Sequence, residues 1–437
     1  MKTIQKPEVN EKSRGLEIPS QNEAPLCLPE GALDMLVALS TPNPRGGWGI
    51  PVLLWGPPGS GKTSFVESLA QDKFPVYTLI ASLHDPTDFN GMPYFREGRT
   101  VFLPPEWVDI FKEAQKGILF LDELTTAPPA VQSALLRLVL ERQVGSYRLP
   151  AGVRIVAAAN PVDQIIGGWE PSPALANRFL HLHWKMDARI YAQGLRYGFG
   201  GVTLANPEIQ PKIHQERLNV WKKKLADFLE RHPDYFYLPP EEGEYAYPTA
   251  RTWDYALHLL ATCELLDLLP DFEKFNKAPE NPGIVFRILR GVVGSGAAIA
   301  FLHFLKVPNI HLPENLLDGK EKLSLPLNPD ELSITFEGML RLLKRPKRRN
   351  QTFGDRLKRF LQIAIEVADK GQGDVIFPYL HDLVASGWLM EAVSTQHLEL
   401  LKGLGNYFGE FKEFAEQVSG RFEEKLIHEI FRASKRI

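Results

Sequence analysis

Cysteine is almost absent. Only Cys27 and Cys263 occur in 437 residues, far apart and without metal-ligand spacing. That excludes a disulfide-stapled scaffold and a cysteine-ligated zinc module, and fits two reduced thiols in a cytoplasmic protein. An excess of one charge is also missing. The formal net charge is -3 with 24% charged residues, so nothing pulls the whole chain toward nucleic acid or an anionic membrane. Long hydrophobic runs are missing as well. The longest, residues 291–305, contains Gly294, Ser295, Gly296 and His303. It falls short of the roughly 20 residues that span a bilayer and reads as a tightly packed core helix. The opening MKTIQKPEVNEKSRG has no apolar core of a signal peptide, so the expectation is a chain with no membrane span. No strong internal repeat appears. His84, His181 and His183 stand without His/Cys/Glu spacing for zinc and read as structural.

What is present is a core. Hydrophobic residues make up 44% of the chain, and its length suits about two or three domains. Residues 1–24 are polar and read as a flexible tail. Short apolar runs follow at 52–55, 76–81, 118–121, 153–159 and 180–184, with helical patterns between them, notably 64–71 and 130–142. Such alternation predicts a parallel sheet covered by helices on both faces, an α/β fold over residues 25–186. Helical periodicity then takes over, as in 220–230, 252–268, 283–305 and 398–435. It predicts an all-α lid region over 187–310 and a further helical region over 311–437, beyond a Pro-rich charged stretch. A short helix is expected over 26–39, and residues 194–211 have no clear pattern.

The most specific motif is Gly56-Pro57-Pro58-Gly59-Ser60-Gly61-Lys62-Thr63, followed by Ser64. It fits G-x-x-x-x-G-K-[ST], with an apolar strand entering and a helix leaving. Glycines permit a tight loop whose N–H groups converge on phosphates, and the helix N-terminus adds partial positive charge. Lys62 is expected to reach the β- and γ-phosphates, and Thr63 to bind Mg²⁺ through its hydroxyl. The run 118–121 ends in Asp122 and Glu123. At a strand end beside the P-loop strand, Asp122 would hold a water ligand of the metal, while Glu123 would polarise the attacking water.

With these elements in place the chain resembles the AAA+ ATPases, and within them the MoxR-like and dynein-related group. The likeness rests on Ala157-Ala158-Ala159-Asn160-Pro161, Pro173-Ala174-Leu175-Ala176-Asn177-Arg178-Phe179 and Tyr247-Pro248-Thr249-Ala250-Arg251-Thr252. It implies that Asn160 is a sensor-1 residue positioning the lytic water. Arg178 would be an arginine finger pointing into a neighbouring subunit, and Arg251 a sensor-2 residue on the γ-phosphate of its own chain. Leu121-Asp122-Glu123-Leu124-Thr125-Thr126-Ala127 and Gln132-Ser133-Ala134-Leu135-Leu136 carry the closer likeness. Two expected inserts add to it: a hairpin over 92–102, and another over 143–149. The likeness covers roughly residues 26–265.

The resemblance implies ATP and Mg²⁺ as cofactors and a homo-oligomer, expected to be a hexameric ring. Phe89, Met92, Tyr94 and Phe95 then become candidates to grip a client in the pore. The client expected for a MoxR-like chaperone is a protein with a von Willebrand factor A domain. The alternative is a nucleic-acid-directed motor resembling the restriction-associated dynein-related members, which the balanced charge disfavours. A non-hydrolysing scaffold is a third reading, opposed by the intact Glu123 and Arg178. The basic run from Lys344 through Arg345, Pro346, Lys347, Arg348 and Arg349 reads as a solvated linker face rather than a nucleic-acid patch.

Overall fold

The computed structural model describes residues 28–161, 164, 168–197, 209–240, 244–269, 282–305, 310–323, 325, 327–344, 351–385, 389–390 and 393–420. The expected tail, Cys27, most of the unpatterned 194–211 stretch and the basic run after Lys344 lie outside them. The chain forms two compact units. The first takes the described residues up to 269 and Arg287–Ala298, and the second takes 282–286 and the described residues from Ile299 onward.

The first unit is built on five parallel strands: β1 (Val52–Trp55), β2 (Val76–Ile80), β5 (Lys116–Asp122), β8 (Gly152–Ala159) and β9 (Leu180–His183). They stand in the order β2-β5-β8-β1-β9. Every residue of β1 is buried, as are all of β8 after Gly152, which is why both read as unbroken apolar runs. Register sets Leu53 beside Ala157 and Leu119 beside Ile155. Around them Phe111, Leu135, Leu138 and Phe179 close one core. The helices of this half are α1 (Ala32–Ser40), α2 (Lys62–Ser68), α3 (Pro86–Asn90), α4 (Val108–Ala114), α5 (Pro129–Glu141) and α6 (Pro173–Ala176). Between strands, β3 (Met92–Arg96) pairs with β4 (Arg99–Leu103), and β6 (Gln143–Val144) with β7 (Tyr147–Arg148), both antiparallel. These are the two expected hairpins. The five expected strands all form, within two residues at each end.

The helix expected from residue 26 begins only at Ala32. Gly31 stops it: its φ is 87°, and a Cβ there would sit 2.4 Å from the His183 carbonyl oxygen, so the chain must turn in contact with β9. Beyond β9 lie α7 (Ala188–Tyr197), α8 (Pro211–Arg231) and α9 (Ala250–Leu265). Thr249 and Thr252 cap α9 reciprocally: the Thr249 N–H donates to Thr252 Oγ1 at 2.8 Å, and the Thr252 N–H donates to Thr249 Oγ1 at 3.3 Å. The next helix, α10 (Pro282–Phe304), is broken at Gly294, where φ is 77° and ψ 160°. A Cβ at Gly294 would lie 2.8 Å from the Ala246 carbonyl oxygen. By length and composition residues 283–304 could cross a membrane, but 83% of the apolar window is buried within the chain, as a core helix requires.

The second unit is helical. α11 (Pro313–Leu317), α12 (Pro329–Lys344), α13 (Gln351–Asp369), α14 (Gly373–Ala385) and α15 (Thr395–Gly405) pack Leu332, Phe336, Met339, Phe360, Leu361 and Leu401 into one cluster. The helical pattern over 398–435 is met as two helices as far as residue 420, and the remainder lies outside the described residues. α15 ends at Gly405, residues 406–408 turn, and 409–420 are helical again. The reason is close approach: a Cβ on Gly405 would meet the Lys412 backbone at 3.0 Å.

Candidate active site

In a parallel sheet, ligands gather outside the carboxyl ends of the strands, where the order reverses. β1 delivers Gly56–Gly61 to that edge, and α2 starts at Lys62. Gly59 and Gly61 have φ of 73° and 81°, a region that side chains disfavour. Gly56 is needed for a different reason: a Cβ there would lie 2.7 Å from the Trp184 carbonyl oxygen. α2 has no side-chain cap, so the N–H groups of its first turn remain open to an anion.

Trp184 supports this loop from below. It is buried, its indole N–H donates to the Ser60 carbonyl at 2.9 Å, and its ring meets Phe65 of α2 at 5.1 Å. Sequence reasoning gave it no role, because the contact exists only once β9 lies beside β1.

Lys62 is buried, and its Nζ donates to the Gly56 carbonyl at 2.7 Å, the Pro57 carbonyl at 2.9 Å and Asn160 Oδ1 at 3.1 Å. Burial lowers the pKa of the ammonium, and Asp122 opposes that shift. Thr63 Oγ1 donates to Asp122 Oδ2 at 2.7 Å. Lys62, Thr63, Asp122 and Asn160 are therefore joined by direct bonds, although they follow three different strands. Glu123 sits beside them with φ 55° and ψ 42°, a left-handed conformation that costs on the order of 1 kcal/mol and aims the side chain away from the strand direction. Its N–H donates to Asp122 Oδ1 at 2.8 Å. Its carboxylate accepts from Ser82 Oγ at 3.3 Å and Thr126 Oγ1 at 3.5 Å. Neither Ser82 nor Thr126 was legible as a partner of Glu123 in sequence.

The group fits a nucleotide with a divalent cation. Among the described residues there is no cluster of three or more His, Cys, Asp or Glu side chains able to hold a metal alone. One hydroxyl and one carboxylate suit a cation that shares its shell with phosphate oxygens and water.

Arg178 and Arg251 lie elsewhere. Leu180, two residues after Arg178, pairs with Val52 at the start of β1, whereas the P-loop follows the end of β1. Arg178 thus occupies the opposite edge of the sheet from Lys62. Arg251, expected to face the phosphates of its own chain, is held at that same far edge. Its Nη1 donates to Asn177 Oδ1 at 3.1 Å. The α9 cap fixes it there: Thr249 Oγ1 donates to the same Asn177 oxygen at 3.3 Å, and Tyr247 Oη donates to the Pro173 carbonyl at 3.2 Å. Arg178 itself donates from Nη1 to the Ala174 carbonyl. The Nε atoms of both arginines are buried without a partner. Burial lowers the Arg178 pKa, with Arg251 adding to the shift.

The expected gripping residues divide. Phe89 on α3 is buried in the core against the His84 ring, which corrects its assignment to the client surface. Met92, Tyr94 and Phe95 are 62%, 55% and 73% exposed on the β3–β4 hairpin.

Residues 51–179 match the AAA domain of the dynein-related subfamily. The chain is 34% identical over 139 residues to chaperone MoxR1 of Mycobacterium tuberculosis, covering 30% of this chain and 34% of that protein. It is 27% identical over 159 residues to the proteasome-activating nucleotidase of Methanospirillum hungatei, covering 34% of each. A solved structure from Cytophaga hutchinsonii aligns over 64% of this chain and 89% of its own at 16% identity and a TM-score of 0.39, too low to carry argument. The chain spans about a third of the length of the two curated relatives. Residues 51–179 are an AAA domain of the dynein-related subfamily, and part of the chain is similar to a MoxR chaperone.

Proposed function

We propose that the chain is a ring-forming, Mg²⁺-dependent ATPase of the cytoplasm that remodels a partner protein. One observation carries the reading. Lys62, Thr63, Asp122, Glu123 and Asn160 gather at one edge of the sheet, while Arg178 and Arg251 are held at the other. A site needing both sets is complete only between two protomers. On this reading residues 25–186 form the nucleotide domain, 187–310 the lid region, and 311–437 a further helical region.

In the cycle, the loop N–H groups of residues 59–64 and the Lys62 ammonium bind the phosphates. Thr63 and Asp122 would hold Mg²⁺, which neutralises developing charge on the β- and γ-oxygens. Glu123 accepts a proton from a water whose oxygen attacks the γ-phosphorus as the bond to the ADP oxygen breaks. Asn160 fixes that water. Arg178 and Arg251 of the adjacent protomer stabilise the spreading negative charge. The earlier expectation for Arg251 is thereby changed from its own nucleotide to the neighbour's. The exposed Met92, Tyr94 and Phe95 would pass the motion to a client, for which a von Willebrand factor A domain protein is the first candidate.

Mixing variants tests this. Lys62→Ala and Arg178→Ala protomers, each inactive alone, should regain ATP turnover when mixed, because one supplies the nucleotide side and the other the arginine side. Absence of recovery in a mixed oligomer confirmed by mass would sink the shared-site reading. Stimulation of turnover by DNA or RNA, and not by a protein client, would move the function to a nucleic-acid motor.

A further inference from the structure

This inference rests on the shared-site reading. A third arginine faces the same edge as Arg178 and Arg251. Arg45 stands in the loop between α1 and β1, and that loop is tightly built. The Arg45 N–H donates to Asn43 Oδ1 at 2.9 Å, Asn43 Nδ2 donates to the Gly49 carbonyl at 2.8 Å, and the Gly46 N–H donates to the Asn43 carbonyl at 2.9 Å. Gly46 takes φ 93°, which closes the turn directly after Arg45. The loop is also tied to α9, because His258 Nδ1 lies 2.9 Å from the Pro42 carbonyl oxygen. A carbonyl only accepts, so Nδ1 carries the proton.

On α9, Arg251, Tyr255 and His258 follow at the i, i+4, i+7 spacing of one helix face. His258 docks the Arg45 loop on that face, and Arg251 docks Asn177 beside Arg178. Between them Tyr255 is buried to 2% exposure, and its phenol interacts electrostatically with Arg251, Arg45 and Arg178 together. Three guanidinium groups from three separate segments thus act on one phenol, and the α9 face brings their segments together. One carboxylate, Asp254, acts on Tyr255 beside these three guanidinium groups. Burial lowers the Arg178 pKa, and Arg251 and Arg45 both add to the shift. Asp254, the acid near Arg45, is shared with Lys222. Arg45 is exposed. Gathering three like charges is unfavourable in isolation and becomes favourable when a polyanion meets them.

We propose that Arg45 is a third anion-binding residue of the seam, contacting with Arg178 and Arg251 the triphosphate held by Lys62 of the adjacent protomer, and that Tyr255 sets the spacing of the three.

The test compares ATP turnover of wild type, Arg178→Ala, Arg45→Ala and Arg45→Lys, each checked for thermal stability and oligomer mass. Affinity of each for a fluorescent ATP analogue is measured in parallel. Arg45→Ala should lower turnover about tenfold or more, with analogue affinity changed less than about twofold and oligomer mass unchanged. Arg45→Lys should recover part of the loss. Mixing Arg45→Ala with Lys62→Ala protomers should restore turnover, since the Lys62→Ala protomer supplies an intact Arg45 to its neighbour's nucleotide. Full activity in Arg45→Ala while Arg178→Ala is impaired overturns the inference and leaves the seam standing. Impaired Arg45→Ala without recovery on mixing places the effect within one chain and also overturns it. An Arg178→Ala variant as active as wild type overturns the seam and the inference together.

Discussion

Trp55 donates its indole N–H to Nδ1 of His181 at 2.9 Å, and Nε2 of the same imidazole lies 2.9 Å from the Ala176 carbonyl oxygen. Indole is only a donor and the carbonyl only an acceptor, so His181 is neutral, with its proton on Nε2. Tyr245 stacks on Trp55 at 4.4 Å. The residue just before the P-loop is thus linked through one imidazole to α6, whose C-terminal side carries Arg178.

That arrangement makes stability depend on pH. Burial lowers the His181 pKa from 6.5 to about 4, and His214 and His258 fall to about 4 for the same reason. Between about pH 6.5 and 4 the unfolded chain binds protons that the folded chain refuses, so unfolding is favoured as pH drops. The stability is fully present above about pH 6.5. Replacing His181 with Gln removes one such group. The variant should lose about 1–2 kcal/mol less than wild type between pH 7 and 5, read by chemical denaturation at each pH. Parallel stability profiles would show that His181 does not titrate differently on unfolding.

Glu123 is predicted to separate binding from hydrolysis. A Glu123→Gln variant keeps the shape and the contacts to Ser82 and Thr126 but loses the base. Turnover should fall about 10²-fold or more while ATP affinity stays within a few-fold. Removing Mg²⁺ with a chelator should abolish turnover in wild type. Asp122→Asn should raise the Mg²⁺ concentration needed for half-maximal rate, and an unchanged requirement would remove Asp122 from the metal's shell.

Much of this site was legible because its logic is local. Gly56 through Thr63 is a contiguous motif, and Asp122, Glu123 and Asn160 close apolar runs whose strand character shows in their burial. The sheet followed from the same runs. What sequence could not give was set by distant contacts. Trp184 reaches Ser60 across 124 positions. Arg251 was expected on the γ-phosphate of its own chain, and its bond to Asn177, 74 positions away, could not be read from the sequence. The break between α15 and the helix from residue 409 leaves no periodic trace, because it is set by the approach of Gly405 to Lys412. Phe89 is one aromatic among several in its insert, and only burial separates it from its neighbours.

Gly56 and Trp184 give a prediction about the cradle itself. A Cβ at residue 56 would meet backbone and side chain of Trp184 at 2.7 and 3.1 Å, and neither can retreat from the core. Gly56→Ala should therefore destabilise the first unit by about 1–3 kcal/mol and weaken ATP binding as the loop shifts. Trp184→Phe keeps the packing but drops the hydrogen bond to Ser60, and should cost about 1 kcal/mol in stability with a smaller loss of affinity. Equal ATP affinity in Gly56→Ala and wild type would mean that the loop does not depend on this contact.

The β3–β4 hairpin separates structure from client contact in a single experiment. Phe89 is 1% exposed while Phe95 is 73% exposed, though only five residues lie between them. Phe89→Ala removes a packed aromatic ring and should lower stability by about 3–5 kcal/mol. Phe95→Ala and Tyr94→Ala remove rings that are more than half exposed, so their stabilities should stay within about 1 kcal/mol of wild type. If the hairpin grips a client, these two should turn over ATP at near the wild-type rate yet lose client-stimulated turnover or client remodelling. A client response that persists in the Tyr94→Ala, Phe95→Ala double variant would place the grip elsewhere. Loss of basal turnover in that variant would instead make the exposed rings part of the protomer interface.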